Sequence, residues 1–96
     1  MDEIPFPNRY KKALKSRSKN TTIRFGAEVG KYQVGKVYQA KSYADRSWNI
    51  KIKILEVIPT TVSNLEKFAI PKQTIHSFQK KATLNTKVEI IRFCFE

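Results

Sequence analysis

Alternation of apolar and polar residues is clearest from Trp48 to Ile54. Trp48, Ile50, Ile52 and Ile54 fall on one side of an extended chain and Asn49, Lys51 and Lys53 on the other, the two-residue period of a half-buried strand. The parity breaks at Ile54-Leu55, after which Leu55 and Val57, and with them Ile58, continue with the other parity. A bulge or strong bend is expected there, and Pro59 is expected to end the strand. Behind the Gly35-Lys36 turn, Val37 to Lys41 reads as another strand. Val88 to Phe95 reads as a closing strand, with so few polar positions that both of its faces should be covered. Thr22-Ile23-Arg24-Phe25 alternates too. Its period predicts Ile23 and Phe25 toward a core, with Thr22 and Arg24 sharing the opposite face beside Lys19 and Asn20.

Helical spacing is confined to short stretches. Asn8 is placed to cap a helix from Arg9 to about Ser16, in which Tyr10, Ala13 and Leu14 share one side and the other side is basic. Ser16 to Lys19 then reads as a turn. Ser63 and Glu66 have capping-box spacing, predicting a short helix to about Ala69 with Leu65 and Phe68 inward, stopped by Ile70-Pro71. Ile75 and Phe78 predict a second short helix over Thr74 to Lys81. Pro5 and Pro7 make residues 1–8 irregular. With no internal repeat and no linker, the 96 residues read as one α+β domain. The expected form is a small, partly closed β-barrel with short helices at one end.

Charge changes this picture. Lys and Arg number 19 against 8 Asp and Glu, for a net charge of +11. Such a balance in a small domain points to a polyanion, with nucleic acid ahead of an anionic membrane surface. From Arg9 to Arg24 the chain carries seven cations and no acid. Arg9, Lys11, Lys12, Lys15 and Arg17 are candidates for sequence-independent phosphate contacts. Lys19, Asn20, Thr22 and Arg24 are candidates for a polar cleft that receives a base or a phosphate. Tyr32 and Tyr43 lie in or near loops and are candidates for base stacking, whereas Trp48 begins an inward stripe and belongs to the core. RNA is the expected partner, ahead of DNA; an adaptor docking an acidic protein is the reading that uses the same charge without nucleic acid.

Other chemistry is poorly supplied. One histidine, His76, allows no metal cluster of standard spacing, and no cofactor motif is present. Glu28, Asp45, Glu56, Glu66 and Glu89 are scattered, which argues against paired-carboxylate hydrolysis. The lone Cys94 reads as a core thiol of a reducing compartment. No apolar run is long enough to cross a membrane and no secretory signal is visible, so the expected location is cytoplasmic.

The segment Ser18-Lys19-Asn20-Thr21-Thr22-Ile23-Arg24, followed by Tyr32-Gln33-Val34-Gly35-Lys36-Val37, resembles the opening of ASCH domains. Their pattern there is roughly Gly-x-Lys-Thr-x-Thr-Ile-Arg, then an aromatic, two residues to a Gly, and a strand. The strand from Trp48, the helix near Ser63 and the closing apolar strand follow the same order, so the likeness runs from about Leu14 onward. It implies a PUA-like β-barrel and RNA binding in a cleft beside the motif. Some small bacterial ASCH proteins remove the acetyl group from 4-acetylcytidine. Carried over, that activity makes Thr22 the nucleophile, Lys19 the group that deprotonates or orients it, and Arg24 a pocket or substrate contact. The family's Glu has no counterpart near Ile70-Pro71-Lys72, and Asn20 stands where the family has its first Thr.

Overall fold

Five strands form one mixed sheet: β1 (Glu3–Pro5), β2 (Thr21–Phe25), β3 (Val37–Lys41), β4 (Asn49–Thr61) and β5 (Lys87–Phe95), in the order β1-β3-β4-β5-β2. The structure is a computed structural model that describes residues 2–68 and 70–96, the side chain of Lys81 excepted. Strands β1 and β3 are parallel and the other neighbours antiparallel. A 3-10 turn, Asn8–Tyr10, leads into the short helix α1 (Lys11–Lys15). A 3-10 helix, Val62–Phe68, precedes α2 (Lys72–Lys81). The chain is thus α+β, as its patterning predicts, but the sheet is not closed into a barrel: among the described residues β1 and β2, at its two ends, do not pair.

The apolar residues of β5 explain the layering. Ile91 and Phe93 join a core on one face with Ile4, Phe6, Leu14, Tyr38, Trp48, Ile52 and Ile54. Val88 and Ile90, on the other face, pack with Val62 and Leu65 of the 3-10 helix, and Ile75 and Phe78 of α2 lie against them. Both faces of β5 are covered because helical segments sit on each side of the sheet. The bulge in β4 lies where the parity breaks, but Leu55 does not continue the apolar stripe and Ile58 does not share a face with Val57. Register against β5 slips between Ile54 and Glu56, leaving Leu55 exposed, and Val57 and Ile58 then serve opposite cores.

Several expectations need correction. Strand β4 runs through Pro59 to Thr61. Beyond Ile54 it has lost β3 as a neighbour, so one edge is open and a residue without an N–H is tolerated there. Residues 3–5 form a strand because β3 offers them a parallel partner, with Phe6 N donating to Lys41 O at 2.9 Å. Asn8 does not cap a helix; its Oδ1 accepts the indole N–H of Trp48 at 3.0 Å. The Ser63 cap is also absent: Ser63 is the second residue of its helix and its hydroxyl pairs with that of Thr61. The expected end of that helix at Ala69 lies outside the described residues. Helix α2 starts two residues earlier than its spacing predicts. Cys94 is half-buried opposite Lys53, outside the core clusters.

Candidate functional site

Strand β2 sits at an end of the sheet order, with both faces covered. Its alternation is as predicted, but its burial is inverted: Thr22 and Arg24 are 8% and 6% exposed, whereas Phe25 is 38% exposed. Ile23 packs on the Val62–Leu65 core and Phe25 meets Phe78 of α2 edge-on at 5.4 Å. Thr22 and Arg24 lie on the face of Ile91 and Phe93, so the polar pair occupies the side on which most of the core sits.

A guanidinium can be buried only if its protons find acceptors and its faces find something soft. Arg24 Nη1 donates to Pro5 O at 2.7 Å and to both carboxylate oxygens of Glu28 at 3.2 Å. The guanidinium carbon lies 4.6 Å from the Phe6 ring centroid and 5.8 Å from that of Tyr32. Arg24 therefore spans from β2 to the end of β1 and joins the two unpaired ends of the sheet. Glu28 is brought back by a 3-10 turn, Gly26–Glu28, that starts with Gly26 at φ +65°. It also accepts the Tyr32 hydroxyl at 2.6 Å. Burial and this carboxylate push the Tyr32 hydroxyl well above the ordinary tyrosine range. Glu89, opposite Arg24 in register, accepts the Gly30 N–H at 2.9 Å and so pins the same loop. One donor stays unused: Arg24 Nε is buried with no partner among the described residues.

Lys19 is delivered by the predicted turn after α1, in which Arg17 adopts φ +62° and Ser18 N returns to Ala13 O at 2.9 Å. Its ammonium donates to Thr21 O at 2.8 Å and lies 4.5 Å from the Tyr10 ring centroid. Burial, with Arg24 and Arg9 nearby, draws Lys19 below the ordinary lysine range, against an opposing contribution from Tyr10. These groups line a cleft of about 830 Å³. Its polar wall carries Arg9, Lys19, Thr22, Arg24 and Glu28; its apolar wall is formed by Phe25, Phe68, Ile70, Pro71 and Phe78. A shallower depression of about 550 Å³ over α1, lined by Arg9, Lys11, Lys12 and Lys15, shares Arg9 with it.

Lys19, Asn20, Thr22, Arg24 and Arg9 thus come together at one cleft, while Lys11, Lys12 and Lys15 form the adjoining surface. Lys11 is paired with Asp45 at 3.2 Å. Arg17 lies outside both, its guanidinium 5.9 Å from the Phe95 ring centroid. Tyr32 cannot stack on a base: it is 4% exposed and bonded to Glu28. Tyr43 is 57% exposed but does not line the cleft. Glu28 was missed among scattered acids, although its spacing of four from both Arg24 and Tyr32 is the signal that marks it. Glu66 is exposed and away from the cleft lining, and Lys19 donates to the carbonyl of Thr21, not to the Thr22 hydroxyl. Among the described residues no three His, Cys, Asp or Glu side chains gather to hold a metal, and no helix is long and apolar enough to cross a membrane. No protein-family model, curated protein or solved structure matches the chain.

Proposed function

We propose that this chain is a nucleic-acid-binding module, RNA ahead of DNA, that seats part of its partner in the cleft and tracks the phosphates over α1. The observation that carries this reading is the gathering of Arg9, Lys19 and Arg24 on one wall of the cleft, with a buried guanidinium donor left unpartnered. Burial above all, and then the neighbouring Arg24 and Arg9, draw Lys19 below the ordinary lysine range, and an anion among these cations would relieve both. The continuous lysine surface beside the cleft supplies the nonspecific share of affinity. The resemblance to ASCH domains supports the same reading, and the sheet, with its ends bridged by Arg24, is read as an opened form of their PUA-like barrel. The test is binding of a fluorescent single-stranded RNA across a salt series, with duplex DNA as the comparison. RNA should bind more tightly, with about 0.7 log units of affinity lost per log unit of salt for each phosphate neutralised. Arg24→Ala should weaken binding beyond any change in slope, whereas Lys12→Ala should mainly lower the slope. Absence of binding at low salt would reject the proposal.

A second reading, an amidohydrolase acting on an acylated nucleoside such as 4-acetylcytidine, is favoured by two features. Lys19 is drawn toward the neutral, basic form, and Glu28 supplies a carboxylate to the cleft from the loop after β2. Turnover that disappears in both Thr22→Val and Lys19→Ala is its expected signature; turnover surviving both changes would remove this mechanism.

A further inference from the structure

The ionic residues around the cleft do not balance. Arg9, Lys19, Arg24 and Arg92 line it. Glu28 answers Arg24 at 3.2 Å and Glu56, outside the lining, answers Arg92 at 3.7 Å. Glu89, opposite Arg24 in register, is turned to the Gly30 N–H. Arg9 and Lys19 are left without a carboxylate partner among the described residues, both set against the Tyr10 ring at 5.1 and 4.5 Å. Glu28 cannot move across to them without abandoning the Tyr32 hydroxyl and Arg24, which hold it from two sides. Arg24 has its Nη1 saturated by Pro5 and Glu28, while its Nε, buried, has no acceptor among the described residues. Two cations without a carboxylate partner and an adjacent apolar wall describe a ligand that is doubly anionic at one end and ring-like next to it.

We infer that the cleft takes a terminal phosphate monoester, on an RNA end or on a free mononucleotide, in preference to an internal phosphodiester. This rests on the nucleic-acid reading and names the part of the partner that enters the cleft. A monoester is close to a dianion at neutral pH and offers three acceptor oxygens, enough for Lys19 and Arg9 together. A phosphodiester brings one charge and would leave one cation uncompensated in a half-desolvated site. The exposed Lys12 and Lys15 of α1 sit in water, where a single charge suffices, and suit diesters. The Phe25–Phe78 edge-to-face pair and Pro71 then lie where the attached nucleoside would rest.

The experiment is fluorescence anisotropy of the full chain with one short oligoribonucleotide sequence in three forms: 5′-phosphorylated, 3′-phosphorylated and hydroxyl at both ends. A nucleoside monophosphate and its nucleoside serve as competitors. One phosphorylated form should bind at least about tenfold more tightly than the hydroxyl form. That preference should collapse in Lys19→Gln and in Arg9→Gln, and should survive Lys53→Gln, which removes a charge from an exposed position on β4. Neither variant touches the Pro5 and Glu28 bonds of Arg24, so both read the site with that anchor in place. Equal binding of all three oligonucleotides overturns the inference and leaves RNA binding standing. Direct binding of the monophosphate but not of its nucleoside, read by calorimetry, with no oligonucleotide bound, keeps the monoester chemistry, assigns it to a free nucleotide and rejects the RNA reading. No binding by any of the probes overturns both.

Discussion

Strands β5 and β2 are neighbours, both covered on two faces, yet they are filled in opposite ways. Strand β5 puts Val88 and Ile90 on one side and Ile91 and Phe93 on the other, and every one of these is essentially buried. Strand β2 matches Ile90 with Ile23 on one face, but sets Thr22 against Ile91 and Arg24 against Glu89 on the other. Where β5 is held mainly by apolar area, with Glu89 tied to the Gly30 N–H, β2 needs a carbonyl, a carboxylate and two aromatic rings to make one cation tolerable. The difference shows how a small sheet keeps a cleft. The apolar strand lies inside the sheet, and the strand with the ionic face lies at its end, where solvent and a ligand can reach it.

The largest test of that contrast is Phe93→Ala. Phe93 is 2% exposed and meets Phe6 and Phe95 edge-on, so its truncation should cost about 3–5 kcal/mol of unfolding free energy, read by urea denaturation. Arg24→Met should cost less, roughly 1–3 kcal/mol, because it strands the Pro5 carbonyl while Glu28 keeps access to water. It should also abolish the cleft's contribution to binding. A loss for Arg24→Met as large as that for Phe93→Ala would mean that β2 is built as core and that the cleft is incidental.

The smallest effect is a pH slope. Lys19 releases its proton at lower pH in the folded chain than in the unfolded one, where the ordinary value is 10.5. Between those two points the unfolded chain holds more protons, so stability rises with pH. Tyr32 acts in the other sense: folded, it keeps its proton above the ordinary value of 10.0, so stability falls once the unfolded chain ionises. Urea midpoints across the alkaline range should therefore rise and then fall. Lys19→Gln should remove the rise and Tyr32→Phe the fall. An unchanged profile in both variants would sever the link between the ionic face and stability.

Much of the fold is legible in the chain because period-two patterns survive into structure. The Trp48 stripe, the bulge after Ile54 and the bounds of β3 all follow from it. Alternation separates two faces of β2 without saying which is the more buried. The period sets Arg24 opposite Ile23 and Phe25 and cannot show its burial, since its acceptors come from Pro5, which is remote in sequence, and from Glu28, whose return depends on a turn. Strand β1 is three residues ending in proline and exists only because β3 lies beside it. Asn8 and Ser63 have good capping residue types, but a side-chain oxygen takes the strongest donor in reach, and for Asn8 that donor is the distant Trp48 indole. The cleft residues from Lys19 to Arg24 were legible as a group because one turn and one strand carry them all. Tyr32 was not legible as a buried residue, since a glycine-flanked loop reads as surface.

The bond from Lys19 to the Thr21 carbonyl has a consequence for association. In the antiparallel register Asn20 bonds to Phe93, so Thr21, Ile23 and Phe25 point their backbone groups away from β5. That is an open strand edge, onto which a second copy of the chain could zip. The ammonium of Lys19 occupies the first acceptor of that edge, and a charge there repels an incoming copy that carries the same charge. The lysine proposed to meet anions in the cleft thus also stands against chain-to-chain strand addition.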